Sequence, residues 1–322
     1  MSGWTRSSLL VLLAVALAVP AAADTTLRIF TTSSVKGELR DCGCKGKPLG
    51  GFAERATLLQ KNTAGADATL LVDGGNWSET KGETALSKTE LLWTIMAELG
   101  YDAVTVGDRE MSHGLGTLIE LQARHPEIHV VSANVTDKSD ALVWDTHTVV
   151  EKNGIRIGIT GVTTDASYRF AQSRGKLEHD DFAFRDPAEA LGKVLPILAE
   201  QSDVIVVLAH SGAVDAGHWA KANPDIDVLV VGYDPGYSFS PTTEGETLVI
   251  RGGSQGKYLT VLDLTLDAEG NRVDAEGESK PVNRLITPDP KVEEMVTAWE
   301  KANGVYEPKV EASGDSPVGG GK

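Results

Sequence analysis

At 322 residues with 41% apolar side chains, the chain can bury a substantial core, as one large α/β domain or two small ones. Its 46 acidic residues against 30 basic ones leave a net charge of −16, which repels a polyphosphate backbone and excludes nucleic acid as the expected partner. The two cysteines, Cys42 and Cys44, stand one residue apart, so there is no disulfide framework of the kind that staples small secreted domains.

At the N-terminus Arg6 precedes an apolar run over 9–19 and the small-residue stretch Ala21-Ala22-Ala23. This is the pattern of a secretory signal peptide and is too short for a spanning helix, which needs roughly 20 apolar residues. Cleavage after Ala23 predicts a periplasmic or secreted protein with no later membrane span. Short β-branched runs then alternate with helical stretches, the signature of βαβ units. Strands are expected near 27–31, 69–73, 103–106, 129–133, 204–210 and 228–232, and helices over 52–61, 88–99, 115–124, 187–201 and 216–223. Asn153-Gly154 between two apolar segments predicts a hairpin over 146–161. The segments 247–251 and 258–266, the turn at 267–271 and a return toward Ile286 predict a closing meander. A last helix near 290–303 leads into a tail over 308–322 rich in Gly, Pro, Ser and charge, expected to be disordered. The division is a signal peptide at 1–23, a domain at 24–287 and a C-terminal helix and tail at 288–322.

Parallel α/β sheets collect functional groups on loops at the carboxyl ends of their strands. Those loops read Ser33-Ser34-Val35-Lys36-Gly37, Asp73-Gly74-Gly75-Asn76-Trp77, Gly107-Asp108-Arg109-Glu110, Ala209-His210-Ser211-Gly212 and Gly232-Tyr233-Asp234-Pro235. In order, they resemble the signature loops of the calcineurin-like metallophosphatases, 5′-nucleotidase branch, from Leu27 to Ile286. Gly50-Gly51-Phe52-Ala53-Glu54-Arg55, the run from Leu99 to Gly107 and Ser132-Ala133-Asn134-Val135 are similar to that branch as well. The resemblance implies a four-layer α-β-β-α sandwich with mixed sheets. It also implies a two-metal centre held by an Asp-x-His, an Asp, an Asn-His pair, a lone His and a His-x-His, which activates water for attack at phosphorus. At those places this chain has Ser34 and Lys36, Asn76, Asp108-Arg109, His210 and Tyr233-Asp234-Pro235, so only His210 keeps its type. Lys36 and Arg109 are cations where imidazole lone pairs are needed, so the expectation is a domain without two-metal phosphoesterase activity. Two alternatives stay open: a hydrolase with one divalent cation on Asp108 and His210, helped by Asn76, and a non-catalytic module binding an anion or a partner.

The second candidate is the cysteine pair itself, in the polar loop Arg40-Asp41-Cys42-Gly43-Cys44-Lys45-Gly46-Lys47. Arg40, Lys36, Lys45 and Lys47 are positioned to favour thiolate, and Arg109 is a further cation of the same cleft. The pair can exchange with a periplasmic redox partner, close into a local disulfide across Gly43, or hold a soft metal ion with His113 or His210 as a third ligand. The loop followed by Pro48-Leu49-Gly50-Gly51 also resembles a nucleotidase-like group in which some members carry selenocysteine, which implies redox chemistry.

Overall fold

The structure, a computed structural model, describes residues 24–44, 48–175, 177 and 179–306. The expected signal peptide, Lys45, Lys47 and the expected tail at 308–322 lie outside the described residues. The described chain opens with β1 (Thr25–Thr32), then α1 (Phe52–Thr63), β2 (Ala68–Asp73), α2 (Ala85–Glu98) and β3 (Ala103–Val104). Next come α3 (Asp108–Met111), α4 (Leu115–Arg124), β4 (His129–Val130), β5 (Val135–Asp137), β6 (His147–Lys152) and β7 (Ile155–Thr163). They are followed by α5 (Asp165–Ser173), β8 (Phe182–Phe184), α6 (Pro187–Gln201), β9 (Val204–His210), α7 (Ala213–Ala222) and β10 (Val228–Val231). The last elements are β11 (Thr242–Glu244), β12 (Thr247–Arg251), β13 (Tyr258–Leu266), β14 (Arg272–Pro281) and α8 (Pro290–Ala302).

The strands form two six-stranded sheets, in the orders β14-β13-β1-β2-β3-β4 and β11-β12-β10-β9-β7-β6, and β5 pairs with β8 alone. Both large sheets are mixed. In the first, β1 to β4 run parallel and β13 joins β1 antiparallel; in the second, β7, β9, β10 and β12 run parallel between antiparallel β6 and β11. Alternation along the strands explains the layers, because successive side chains leave opposite faces. Leu27 and Ile29 of β1 meet Val204, Val206 and Leu208 of β9 in the core between the sheets. Phe30 faces the other way, onto Phe52, Trp93 and Met96, while Ile205 and Val207 face Leu191, Leu195 and Ala216. Strands buried on both faces therefore read as continuous apolar runs, and the result is an α-β-β-α sandwich.

Local chemistry sets the ends of the elements. Asp186 and Asp289 cap α6 and α8 through Glu189 N and through Lys291 N and Val292 N, with proline next in each case. The hairpin forms at Asn153-Gly154, where both φ angles are positive, 51° and 83°. The closing meander is different from the sequence expectation. β12 pairs with β10 and β11 in the second sheet, whereas β13 pairs with β1 and β14 in the first, so the chain crosses between sheets from Arg251 to Tyr258. Gly252 makes the crossing: a Cβ there would lie 2.6 Å from the backbone nitrogen of Ser33. Among the described residues, no helix is long and apolar enough to cross a membrane.

Candidate functional site

The loops leaving β1, β2, β3, β9 and β10 meet at one end of the sandwich. Ser34 N donates to Gly75 O at 2.8 Å and Lys36 N to Asn76 O at 2.9 Å, lacing the first two loops together. Ser34 Oγ reaches the carbonyl of Gly232 at 3.0 Å, and Gln255 N donates to Ser34 O at 2.8 Å. The β3 loop is held by Glu110, whose buried carboxylate accepts from Asn76 N, Ser78 N and Gly107 N, each at 2.8 Å. Gly107 has no room for a side chain, since a Cβ would come 2.2 Å from Asn76 Oδ1 and 2.5 Å from His210 Nε2.

This close packing brings together Asn76, Asp108 and His210. Asn76 Nδ2 donates to Asp108 Oδ1 at 3.0 Å, while Asn76 Oδ1 accepts from Arg109 N at 3.0 Å. His210 is fully buried; Nδ1 lies 3.0 Å from Gly74 O, and Nε2 has no hydrogen-bond partner and faces Asp108 Oδ1 at 3.7 Å. Burial pushes the Asp108 carboxyl up, but the facing His210 ring and the Asn76 amide outweigh it and hold it down to about 2. Asp108 is therefore an anion at neutral pH. Tyr233 sits edge-on to His210 at 5.3 Å, and Asp234 accepts from Gly236 N at 2.7 Å beside Arg251.

The cations take the remaining space. Arg109 Nε donates to Ser78 O at 2.7 Å, and Nη2 reaches Lys36 O at 3.3 Å and Glu79 Oε1 at 3.2 Å. Glu79 also pairs with Lys88 at 3.2 Å. Lys36 faces Arg109, Lys257 and Asp108; burial first, then Arg109 and Lys257, lower its ammonium below the usual lysine range. His113 is taken up between Glu79 O at 2.7 Å and Thr89 Oγ1 at 3.3 Å.

The structure joins Cys42 to Cys44 in a disulfide, with Cα atoms 5.2 Å apart. Gly43 adopts φ 60°, the left-handed conformation that glycine takes at no steric penalty, and donates to Asp41 Oδ1 at 2.9 Å. The turn is anchored by Cys42 N to Leu49 O at 2.9 Å, the Asp41–Gly50 bridge and Arg284 on Asp41 at 2.7 Å. Arg40 points away from it, into α8, where Glu293 and Glu300 hold it as an ion pair and Thr297 as a hydrogen bond. Its expected part in favouring thiolate is thus not seen, because two carboxylates of α8 satisfy the guanidinium. Among the described residues no three His, Cys, Asp or Glu side chains gather as a metal cage, and His113 and His210 stand against Glu79 O and Gly74 O. The sequence reading passed over Glu110 and Glu79 as supports of the site, and Gln255 and Lys257 as parts of it. An acidic residue three positions after a strand-end glycine was the available signal for Glu110.

No family model matches the sequence. The snake venom 5′-nucleotidase of Gloydius brevicauda is 27% identical over 306 residues, covering 86% of this chain and 51% of that protein. The 5′-nucleotidase of Vibrio cholerae is 26% identical over 246 residues, 65% of this chain and 44% of that one. This chain spans about half the length of the curated relatives it matches. In structure, the 5′-nucleotidase precursor from Thermus thermophilus superposes with a TM-score of 0.74 at 24% identity, covering 87% of this chain and 59% of that one. The calcineurin-like phosphoesterase YfkN from Bacillus subtilis gives 0.73 at 22% identity, covering 88% of this chain and 98% of that one. The chain thus carries the calcineurin-like metallophosphatase fold, with 5′-nucleotidases as its relatives in sequence.

Proposed function

We propose that this chain is a non-hydrolytic relative of the 5′-nucleotidases, exported to the periplasm or secreted, whose Cys42–Cys44 pair cycles between disulfide and dithiol against a dithiol protein. The observation that carries the reading is the disulfide in an exposed turn. It closes a loop of three residues, for which the chain-entropy relation gives only about 1.6 kcal/mol, below the 2–4 kcal/mol typical of structural disulfides. The turn already has its own backbone bonds and the Asp41–Arg284 pair, so it needs no staple.

The loss of hydrolysis is argued from the donor set. Lys36 and Arg109 have no lone pair to offer a metal. Asn76 Oδ1 accepts from Arg109 N and Asp234 Oδ1 from Gly236 N, which ties both side chains to the backbone. These residues do not fit a pair of divalent ions. In the redox step, a partner thiolate attacks the Cys44 sulfur, the more exposed of the two, and Cys42 leaves as a thiolate and takes a proton. The second partner thiolate then attacks the mixed disulfide and releases the Cys44 thiol. The partner dithiol loses two electrons and this pair gains them.

Protein purified without reductant is expected to expose no titratable thiol, then two after reduction, and to equilibrate with dithiothreitol at a potential above about −300 mV. A pair that stays oxidised below that potential would sink the redox reading. Hydrolysis of AMP or an aryl phosphate diester with Mn(II) or Mg(II), abolished by Asp108→Ala, would sink the non-hydrolytic one.

A further inference from the structure

Six non-glycine residues among those described have positive φ, and four of them lie in adjoining loops: Ser34 at 47°, Lys36 at 59°, Asn76 at 61° and Gln255 at 56°. The other two, Asp140 and Asn153, lie in turns, and Asn153 is the hairpin residue. The four lie in three loops tied by Ser34 N to Gly75 O, Lys36 N to Asn76 O and Gln255 N to Ser34 O. Left-handed backbone is unfavourable for a side chain with a Cβ, and such strain is retained where the surroundings hold a side chain in place for use. Lysine is not a residue that prefers this conformation, as asparagine or glycine does.

The backbone strain sets Lys36 against two other cations. Arg109 reaches its carbonyl, and the charge of Lys257 acts on its ammonium. Among the described residues, neither Lys36 nor Lys257 makes a salt bridge with a carboxylate; Lys257 Nζ donates to the neutral amide oxygen of Gln255 at 2.8 Å. Arg109 shares Glu79 with Lys88, so that carboxylate is already divided between two cations. Asp108 is an anion whose charge acts on Lys36, and it already accepts from Asn76 and faces His210 Nε2 at 3.7 Å. A pair of half-buried ammonium groups without counter-charge, in a protein of net charge −16, is incomplete without an anion.

We infer that the cleft between the Ser34–Lys36 loop, Arg109 and Lys257 binds a tetrahedral oxyanion of the phosphate or sulfate type directly, with Lys36 and Lys257 as its counter-charges and no bridging metal. The inference is independent of the cysteine pair. Lys36 supplies a mobile point charge with three donors, which suits an anion approached from several directions. Arg109, fixed by Ser78 O and Glu79, adds a third cation to the same place.

The experiment is calorimetric titration of the chelator-treated protein with inorganic phosphate and, separately, inorganic sulfate at low ionic strength. At least one is expected to bind, and whichever binds identifies the class. Lys36→Asn and Lys257→Gln are each expected to weaken it about tenfold, the size of one charge-assisted hydrogen bond. Lys36→Asn is further expected to raise the melting temperature by about 2 °C, because asparagine tolerates the left-handed backbone that lysine resists. The double variant Cys42→Ser, Cys44→Ser should bind as the parent does, which separates failure of this inference from failure of the redox reading. No binding of either anion up to about 10 mM, unchanged affinity in both lysine variants, or binding that appears only after Mn(II) or Zn(II) is added back would each overturn it.

Discussion

Glu110→Ala is expected to lower the stability of the protein by about 4–6 kcal/mol. The carboxylate is fully buried and accepts three backbone N–H groups, from Asn76, Ser78 and Gly107, all at 2.8 Å and all on buried residues. Alanine leaves three donors with no partner in a space closed to water, and each such donor costs about 1–3 kcal/mol. For a domain whose whole stability is of order 5–15 kcal/mol, that is a large share. Glu110→Gln tests the argument more finely. One amide oxygen can serve Asn76 N and Gly107 N, which share Oε2, but the amide nitrogen then faces Ser78 N, donor against donor. The expected loss is about 2 kcal/mol, in the range of one unsatisfied buried donor. Urea unfolding would give both values, with the midpoint shifted and the slope kept. A loss below about 1 kcal/mol for alanine, or equal losses for the two variants, would mean the loops are held by something else.

The same residue shows what a sequence can and cannot reveal. Val204–His210 reads as a strand because β-branched residues run without a break, and it is one, buried on both faces. Pro187–Gln201 has its aspartate cap, its proline and its apolar period written locally, and it forms over the expected span. Asn153-Gly154 demands positive φ wherever it is placed. Thr247–Arg251 was also legible as a strand, but alternation says only that a face is buried, not which sheet supplies the neighbours; the crossing at Gly252 is set by contact with Ser33. The site followed the same rule. Asp108, Asn76 and His210 were legible as neighbours because each stands at or just past the carboxyl end of a strand, and the structure sets Asp108 3.0 Å from Asn76 and 3.7 Å from His210. Glu110, Lys257 and Gln255 were missed because their importance lies in which loop they touch. Arg40 is the reverse case. Its charge beside the cysteines suggested a thiolate partner, and the carboxylates that claim it come from α8, some 250 residues onward.

Between pH 4 and pH 7, stability is expected to fall by up to about 4 kcal/mol on account of Asp73 alone, and Asp73→Asn should remove that slope. Burial pushes the Asp73 carboxyl up to about 7, against the pull of Thr32 Oγ1 at 2.6 Å and Gly75 N at 2.7 Å. In the unfolded chain the group titrates near 3.9, so the folded state binds the proton more tightly by about three pKa units, or about 4 kcal/mol. The stability is therefore fully present below about pH 4 and is lost as pH rises through about 7. Asp108, held down to about 2, gives the opposite slope, but only below about pH 4, outside the window. Neutral Asp73 and asparagine solve the local bonding in the same way. Each gives Thr32 Oγ1 a hydrogen, and Thr32 can then donate onward to Tyr101 OH, 2.8 Å away. The ionised form cannot donate, and it forces Thr32 and Tyr101 both to donate toward it. Urea titrations of both proteins at pH 5 and pH 8 would therefore differ by about 1.5 kcal/mol at the lower pH and about 4 kcal/mol at the higher, the variant being more stable. A parent slope that survives in Asp73→Asn would place the titration elsewhere, and the buried Thr32–Tyr101 chain would then be no more than packing.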